Sequence, residues 1–377
     1  MIKFNIPPKT GDELKYIADA IASEKICGDG KYTLECEKII EKHFNSPKIY
    51  LTTSGTTALE MACMLVDIKP GDEVIMPSFT FSSTATAVVL FGGVPVFVDI
   101  RKDTMNIDET KIEAAITDKT KAIMVVHYAG VGCNMEVIMD IAKRHNLKVI
   151  EDAAQVVNAV YHGKHLGTFG DVGCFSFHET KNYSMGEGGA VSVNNSEMIE
   201  RAAIIREKGT NRTQFINGQV DKYTWVDKGS SYLPSDMLAA YLYPQLLIFD
   251  EIRQDRIDSF DYYFNSLKPL ADEGFIDLPT IPENCIHNGH MFYIKCKDLK
   301  EREALQVFLR ERKIASAFHY IPLHSCLAGR TFGRFVGEDE YTTKESERLL
   351  RLPMYYQLAK KDIDTVVGAI NTFYKGE

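Results

Sequence analysis

Through the first two-thirds of this 377-residue chain, short runs of β-branched and aromatic residues alternate with amphipathic stretches of helical period. This alternation limits the possible folds more than any other feature. The apolar runs need cover on both faces, and the intervening helices supply it, which predicts βαβ units around a mainly parallel sheet and an α/β fold. Strands are expected at 48–53, 73–76, 94–100, 121–127, 147–152, 171–178 and 190–194. Helices are expected from residue 56, and at 85–90, 107–116 and 135–144. A long helical pattern over 235–264 then separates this layer from a C-terminal third that mixes a strand at 291–295 with a helix at 301–310. The reading is a large domain over 1–240 and a smaller α/β domain over 241–377.

Composition excludes several classes. Fifty-two acidic residues against 43 Lys and Arg leave a formal charge of −9, so no global basic field holds nucleic acid or an anionic membrane. Any anionic ligand must be bound locally. The stretch from Val74 to Val98 has 25 residues without a charge, which is membrane-spanning length. It also contains Pro77, Gly92, Gly93, Pro95 and six Ser/Thr hydroxyls, and it reads better as strand, loop, helix and strand inside a core. The eight cysteines form no C-x-x-C pair and no zinc-spaced cluster, so reduced thiols and no metal are expected. The first residues lack the apolar run of a signal peptide, which points to the cytoplasm.

Three segments carry possible chemistry. Ser54-Gly55-Thr56-Thr57-Ala58-Leu59 lies where a strand turns into a helix, and free N–H groups at such a start bind anions, phosphate foremost. Taken alone, it reads first as an ordinary helix cap with a tight turn. Neither a P-loop nor a G-x-G-x-x-G occurs, so nucleoside triphosphates and dinucleotides lack their usual marker. Val149-Ile150-Glu151-Asp152-Ala153-Ala154-Gln155 ends an apolar strand on an acid, at the sheet edge where ligands collect; helix capping is the alternative. Ser176-Phe177-His178-Glu179-Thr180-Lys181-Asn182 brings Ser176 and then Lys181 to the same edge. The glycines of Gly186-Glu187-Gly188-Gly189 that follow allow close backbone approach to a flat ligand.

Together these segments resemble the DegT/DnrJ/EryC/StrS sugar aminotransferases, which have PLP fold type I, the aspartate aminotransferase-like fold. The resemblance implies pyridoxal 5′-phosphate (PLP) as cofactor. Lys181 then matches the lysine that bonds the cofactor aldehyde, Asp152 the acid facing the pyridine nitrogen, and Gln155 the partner of the ring hydroxyl. Ser176 with the backbone of Gly55 and Thr56 matches the phosphate cradle, and Phe81 an aromatic ring against the cofactor face. Where many members have an asparagine reaching the phosphate of a neighbouring subunit, this chain has Ser231. A homodimer or higher homo-oligomer is implied.

Further runs, including Val220-Asp221-Lys222-Tyr223-Thr224-Trp225 and Tyr341-Thr342-Thr343-Lys344-Glu345-Ser346-Glu347-Arg348, resemble members that aminate C4 of a dTDP-4-keto-6-deoxyhexose. The partners implied are that dTDP-sugar and L-glutamate. His127, Tyr128, His319 and Tyr320 are the nominated sugar contacts. Amination at C3 or of another nucleotide sugar remains open. A sugar dehydratase of the same fold is disfavoured, because those relatives have histidine where this chain has Lys181.

Overall fold

Strands β1 (Ile49–Thr52), β2 (Glu73–Pro77), β3 (Val94–Val98), β4 (Thr120–Val126) and β5 (Lys148–Asp152) are short and mostly buried, as strands covered by helices on both faces must be. In the computed structural model, which describes residues 1–376, two-residue strands β6 (Val160–Tyr161) and β7 (Lys164–His165) form a hairpin, and the sheet continues with β8 (Val172–Ser176) and β9 (Gly189–Val193). The C-terminal part adds β10 (Cys285–Ile286), β11 (Phe292–Lys295), β12 (Ala317–Phe318), β13 (Arg334–Phe335) and β14 (Leu349–Leu352).

The central sheet has eight strands in the order β1-β9-β8-β5-β4-β2-β3-β13. Every neighbouring pair from β8 to β13 is parallel, and β9 runs antiparallel to both β1 and β8. The C-terminal ends of β1, β8, β5 and β4 therefore lie at one edge. Side chains alternate across the strands: Ile75, Ile123, Val125 and Val149 enter one core, while Val74, Met76, Met124 and Ile150 enter the other. A third core gathers Phe292, Ile294, Leu350 and Leu352 under the helices Leu299–Glu311 and Lys360–Lys375. Ile2 and Ile6, from the opposite end of the chain, pack against it.

The sequence pattern over 235–264 resolves into two helices, Asp236–Leu247 and Phe249–Asp272. Between them Ile248 leaves helical geometry at φ −113° and ψ 37°. Pro244 has already removed one N–H from the last turn of the first helix. The second helix bridges cores: Phe249 and Ile252 pack in the first, and Phe260, Tyr263 and Leu267 in the third. The helix expected over 107–116 shortens to a 3-10 turn, Glu109–Lys111, and a single α-turn, Ile112–Ala115.

One buried acid fixes the sheet edge beneath the site. Glu151 accepts hydrogen bonds from the N–H groups of Gly167 (2.8 Å), Phe169 (2.6 Å) and Gly170 (2.7 Å), and its Oε2 is 2.9 Å from His127 Nε2. The tight loop it holds presses on β8, where a Cβ at Gly173 would stand 1.9 Å from the Gly167 carbonyl oxygen. Glu151→Ala would leave several buried donors without an acceptor. A loss of about 3 kcal/mol or more is expected in urea unfolding; an unchanged midpoint and slope would contradict this role.

Candidate active site

A cavity of about 490 Å³ opens at the edge where the parallel strands end. Asp152 closes β5 and Ser176 closes β8, and both line it. Lys181 enters from the loop after β8. That loop is braced by itself and by its neighbours: Phe177 N–H donates to the Gly188 carbonyl (2.8 Å) and Met185 N–H to the Phe177 carbonyl (2.8 Å). Next to the lysine, Asn182 donates to the Asn288 carbonyl (2.8 Å), and its Oδ1 is 2.8 Å from His290 Nδ1. A side chain on so constrained a loop is held in place rather than solvated.

Among the described residues no hydrogen bond or ion pair engages the Lys181 amine. Burial pushes its pKa down to about 8, the Asp152 charge pulls it back up, and the Arg351 guanidinium pushes it further down. Burial also raises the Asp152 carboxyl above its ordinary range. The Thr84 hydroxyl (2.8 Å), the Ala154 N–H (3.2 Å) and the Lys181 charge act against that rise. These donors favour the charged form, against the burial that opposes it.

The helix start nominated to hold an anion lines the same cavity. The helix Gly55–Leu65 starts at this edge, and its Ser54 cap engages the Thr57 N–H, leaving those of Gly55 and Thr56 outside the capping pair. A Cβ on Gly55 would come within 2.8 Å of Ser176 Cβ, so glycine is what lets the helix start and the serine approach one anion together. Phe81, 58% exposed, lines the cavity at the start of the helix Ser82–Val89. Gln155 is pinned: its Oε1 accepts from the Ala129 N–H (2.7 Å), and its Nε2 donates to the Tyr320 hydroxyl (3.1 Å). Helix start, hydroxyl, amine, aromatic ring and carboxylate fit a flat phosphorylated ring bearing a nitrogen and an aldehyde.

The structure brings together Gly55, Thr56, Phe81, Asp152, Gln155, Ser176, Lys181, His319 and Tyr320. His319 stacks on Tyr320 with ring centroids 3.8 Å apart. Three nominated residues lie elsewhere. His127 is fully buried behind the edge, with Nε2 on Glu151 and Nδ1 accepting from the Cys133 N–H (3.1 Å). Both ring nitrogens are occupied, so His127 works as a brace. Tyr128 is buried too, its hydroxyl 3.2 Å from His319 Nδ1, and it supports His319 from behind. Ser231 is exposed and bridges Glu207, away from its own chain's cavity.

Sequence reading missed Thr84, which sits in the hydroxyl-rich uncharged stretch, and Arg351, an isolated charge in the apolar strand β14. The low Lys181 pKa gives a direct test. Competitive acetylation read by peptide mass spectrometry should give Lys181 a midpoint at about 8. In Asp152→Asn, which removes the charge that raises it, the midpoint should fall further. A midpoint near the ordinary lysine value of about 10.4 would contradict the site described.

The chain is similar to known proteins. At 36% identity, the chain is similar to the dTDP-3-amino-3,6-dideoxy-alpha-D-galactopyranose transaminase of Aneurinibacillus thermoaerophilus, over 85% of this chain and 84% of that one. It is 31% identical to the GDP-perosamine synthase of Caulobacter vibrioides, over 97% and 96%. A Streptococcus pneumoniae structure described as a sugar aminotransferase, solved in PLP and PMP forms, is 25% identical. Its PLP form superposes with a TM-score of 0.90 over 100% of this chain and 99% of that one. The expected α/β aminotransferase fold is borne out. The sequence profile of the DegT/DnrJ/EryC1/StrS aminotransferase family matches residues 8–371, and the chain belongs to that family.

Proposed function

We propose that this chain is a PLP-dependent nucleotide-sugar aminotransferase. It moves the amino group of L-glutamate to C4 of dTDP-4-keto-6-deoxy-D-glucose, giving dTDP-4-amino-4,6-dideoxy-D-galactose. One observation carries the reaction class: an amine of lowered basicity, Lys181, and a donor-held carboxylate, Asp152, share one cavity with a helix-start anion cradle. The choice of sugar and of C4 rests on the resemblance of the runs around Trp225 and Tyr341.

When bound, pyridoxal phosphate supplies an aldehyde that condenses with amines and a ring that withdraws electrons from the reacting carbon. The residues of the chain do the rest. The Lys181 amine holds the cofactor in the resting enzyme and, once released, carries a proton to or from the substrate carbon. A pKa near neutrality suits both directions of that transfer. Asp152 keeps the ring nitrogen protonated, and the Thr84 hydroxyl, donating to it, favours the charged carboxylate that task needs. Gly55, Thr56 and Ser176 hold the phosphate, Gln155 orients the ring through its hydroxyl, and Phe81 covers one ring face. Ser231, which does not line the cavity of its own chain, reaches the cofactor phosphate of a second copy in a homodimer. For the sugar, the contacts narrow to His319 and Tyr320, which line the cavity, with Tyr128 as their support.

A second reading, amination at C3, is favoured by the name of the Aneurinibacillus relative. Parallel incubations of L-glutamate with dTDP-4-keto-6-deoxy-D-glucose and with dTDP-3-keto-6-deoxy-D-galactose, followed by NMR of the products, separate the two. An axial amine at C4 from the 4-keto sugar is expected; an equatorial amine at C4, or turnover of the 3-keto sugar alone, overturns the assignment.

A further inference from the structure

His290 lines the same cavity as Lys181, and the protein engages all of its polar groups except one. Its N–H donates to Asn288 Oδ1 (3.1 Å), its carbonyl accepts from Arg256 (2.7 Å), and its Nδ1 lies 2.8 Å from Asn182 Oδ1. Among the described residues no hydrogen bond or ion pair reaches Nε2. Two histidines that brace the fold differ in this respect. His127 has Glu151 on one ring nitrogen and the Cys133 N–H on the other, and His324 has Ser78 on one and Asp339 on the other.

The neighbouring amides assign the proton on the ring. Asn182 Nδ2 donates to the Asn288 carbonyl (2.8 Å), which can only accept, so Asn182 turns its Oδ1 to His290. Asn288 is fixed in the same way, because its Nδ2 donates to the carbonyls of Gln155 (3.0 Å) and Val157 (2.9 Å). Nδ1 of His290 is therefore the donor, and in the neutral ring Nε2 keeps its lone pair. The ring is neutral: burial pushes its pKa well below the ordinary histidine range, and the charges of Lys181, Arg256 and Arg351 push it the same way. With Nδ1 and the backbone engaged elsewhere, the Nε2 edge is what His290 offers to an occupant of the cavity.

We propose that His290 is a substrate contact, its Nε2 accepting a hydrogen bond from a hydroxyl of the sugar. This rests on the nucleotide-sugar aminotransferase reading above and adds a third side chain to His319 and Tyr320. An acceptor tells the two substrates apart by their chemistry. Apart from its reacting amine, glutamate presents only carboxylate oxygens, which are themselves acceptors and are repelled by a lone pair. The diphosphate of a nucleotide sugar is excluded on the same ground, whereas each hydroxyl of a hexose ring has a proton to donate. The contact also falls near the reacting carbon. Asn182, which holds Nδ1, directly follows Lys181, so the clamp that fixes the amine fixes the acceptor beside it.

The test titrates dTDP-D-glucose, which has no ketone to react, and dTDP, which has no sugar, into PLP-loaded protein by calorimetry. Two variants separate the ring nitrogens. In His290→Asn the amide reaches only as far as Nδ1, keeping a donor for Asn182 and losing the acceptor. In His290→Gln the amide oxygen reaches the place of Nε2, and the Asn182 contact is lost. Loss of one neutral hydrogen bond should raise the dTDP-D-glucose Kd roughly 2- to 13-fold in His290→Asn. The dTDP Kd should not change, and His290→Gln should bind dTDP-D-glucose more tightly than His290→Asn does. Unchanged dTDP-D-glucose affinity in His290→Asn, or an equal loss for dTDP, overturns the proposal and leaves His290 a brace. Should thermal melting show both variants unfolded, nitrogen NMR of histidine-labelled wild-type protein decides. An unprotonated Nε2 whose signal shifts with dTDP-D-glucose and not with dTDP supports the contact; a proton on Nε2, or no such shift, overturns it. Failure of the underlying reading shows separately, in wild-type protein that has no visible PLP absorption band or does not bind dTDP-D-glucose, and the proposal falls with it.

Discussion

The site depends on burying an amine opposite a carboxylate without letting them pair. Lys181 and Asp152 interact electrostatically across the cavity, yet no ion pair joins them. Burial alone would drive the lysine toward its neutral form and the acid toward its neutral form. Each partner resists that drift in the other, and Thr84 and Ala154 add donors on the acid side. The result is an amine of lowered basicity and a donor-held carboxyl facing one cavity without an ion pair between them.

The rest of the architecture serves this separation. Asp152 sits at the end of β5 and Ser176 at the end of β8, paired strands whose register places Asp152 beside Cys174. Glu151, one residue earlier, points to the opposite face and anchors the Gly167–Gly170 loop and His127. Strand alternation thus divides the work of two adjacent acids: one braces the fold, the other faces the cavity. The C-terminal part lines the other side of the cavity through His319, Tyr320 and Arg351.

Much of this was legible in the sequence because strand ends are local events. The β-branched runs located the strands of the central sheet to within a few residues, and the helix Met135–Arg144 follows the period of its apolar side chains. Asp152 and Ser176 could be singled out because each closes a strand, Lys181 because it follows on the same edge, and Gln155 through the resemblance of its segment to the family. His127 shows where that rule stops. It too follows a strand, but alternation turns it toward Glu151, while Val126 lines the cavity instead. Thr84 and Arg351 gave no local sign, since their roles come from residues distant in the chain: Thr84 is 68 positions from Asp152, and Arg351 lies against Phe4. The split of the pattern over 235–264 was equally hidden, because both helices share one apolar period and only packing into two different cores reveals the break at Ile248.

The central claim is that the Lys181 amine is the group that carries the cofactor. Reduction of the PLP-loaded protein with borohydride, followed by digestion and peptide mass spectrometry, tests it most directly. The account predicts a single phosphopyridoxyl adduct on the peptide containing Lys181, absent in Lys181→Ala. An adduct on another lysine, or undiminished labelling of the Lys181→Ala protein, would contradict it.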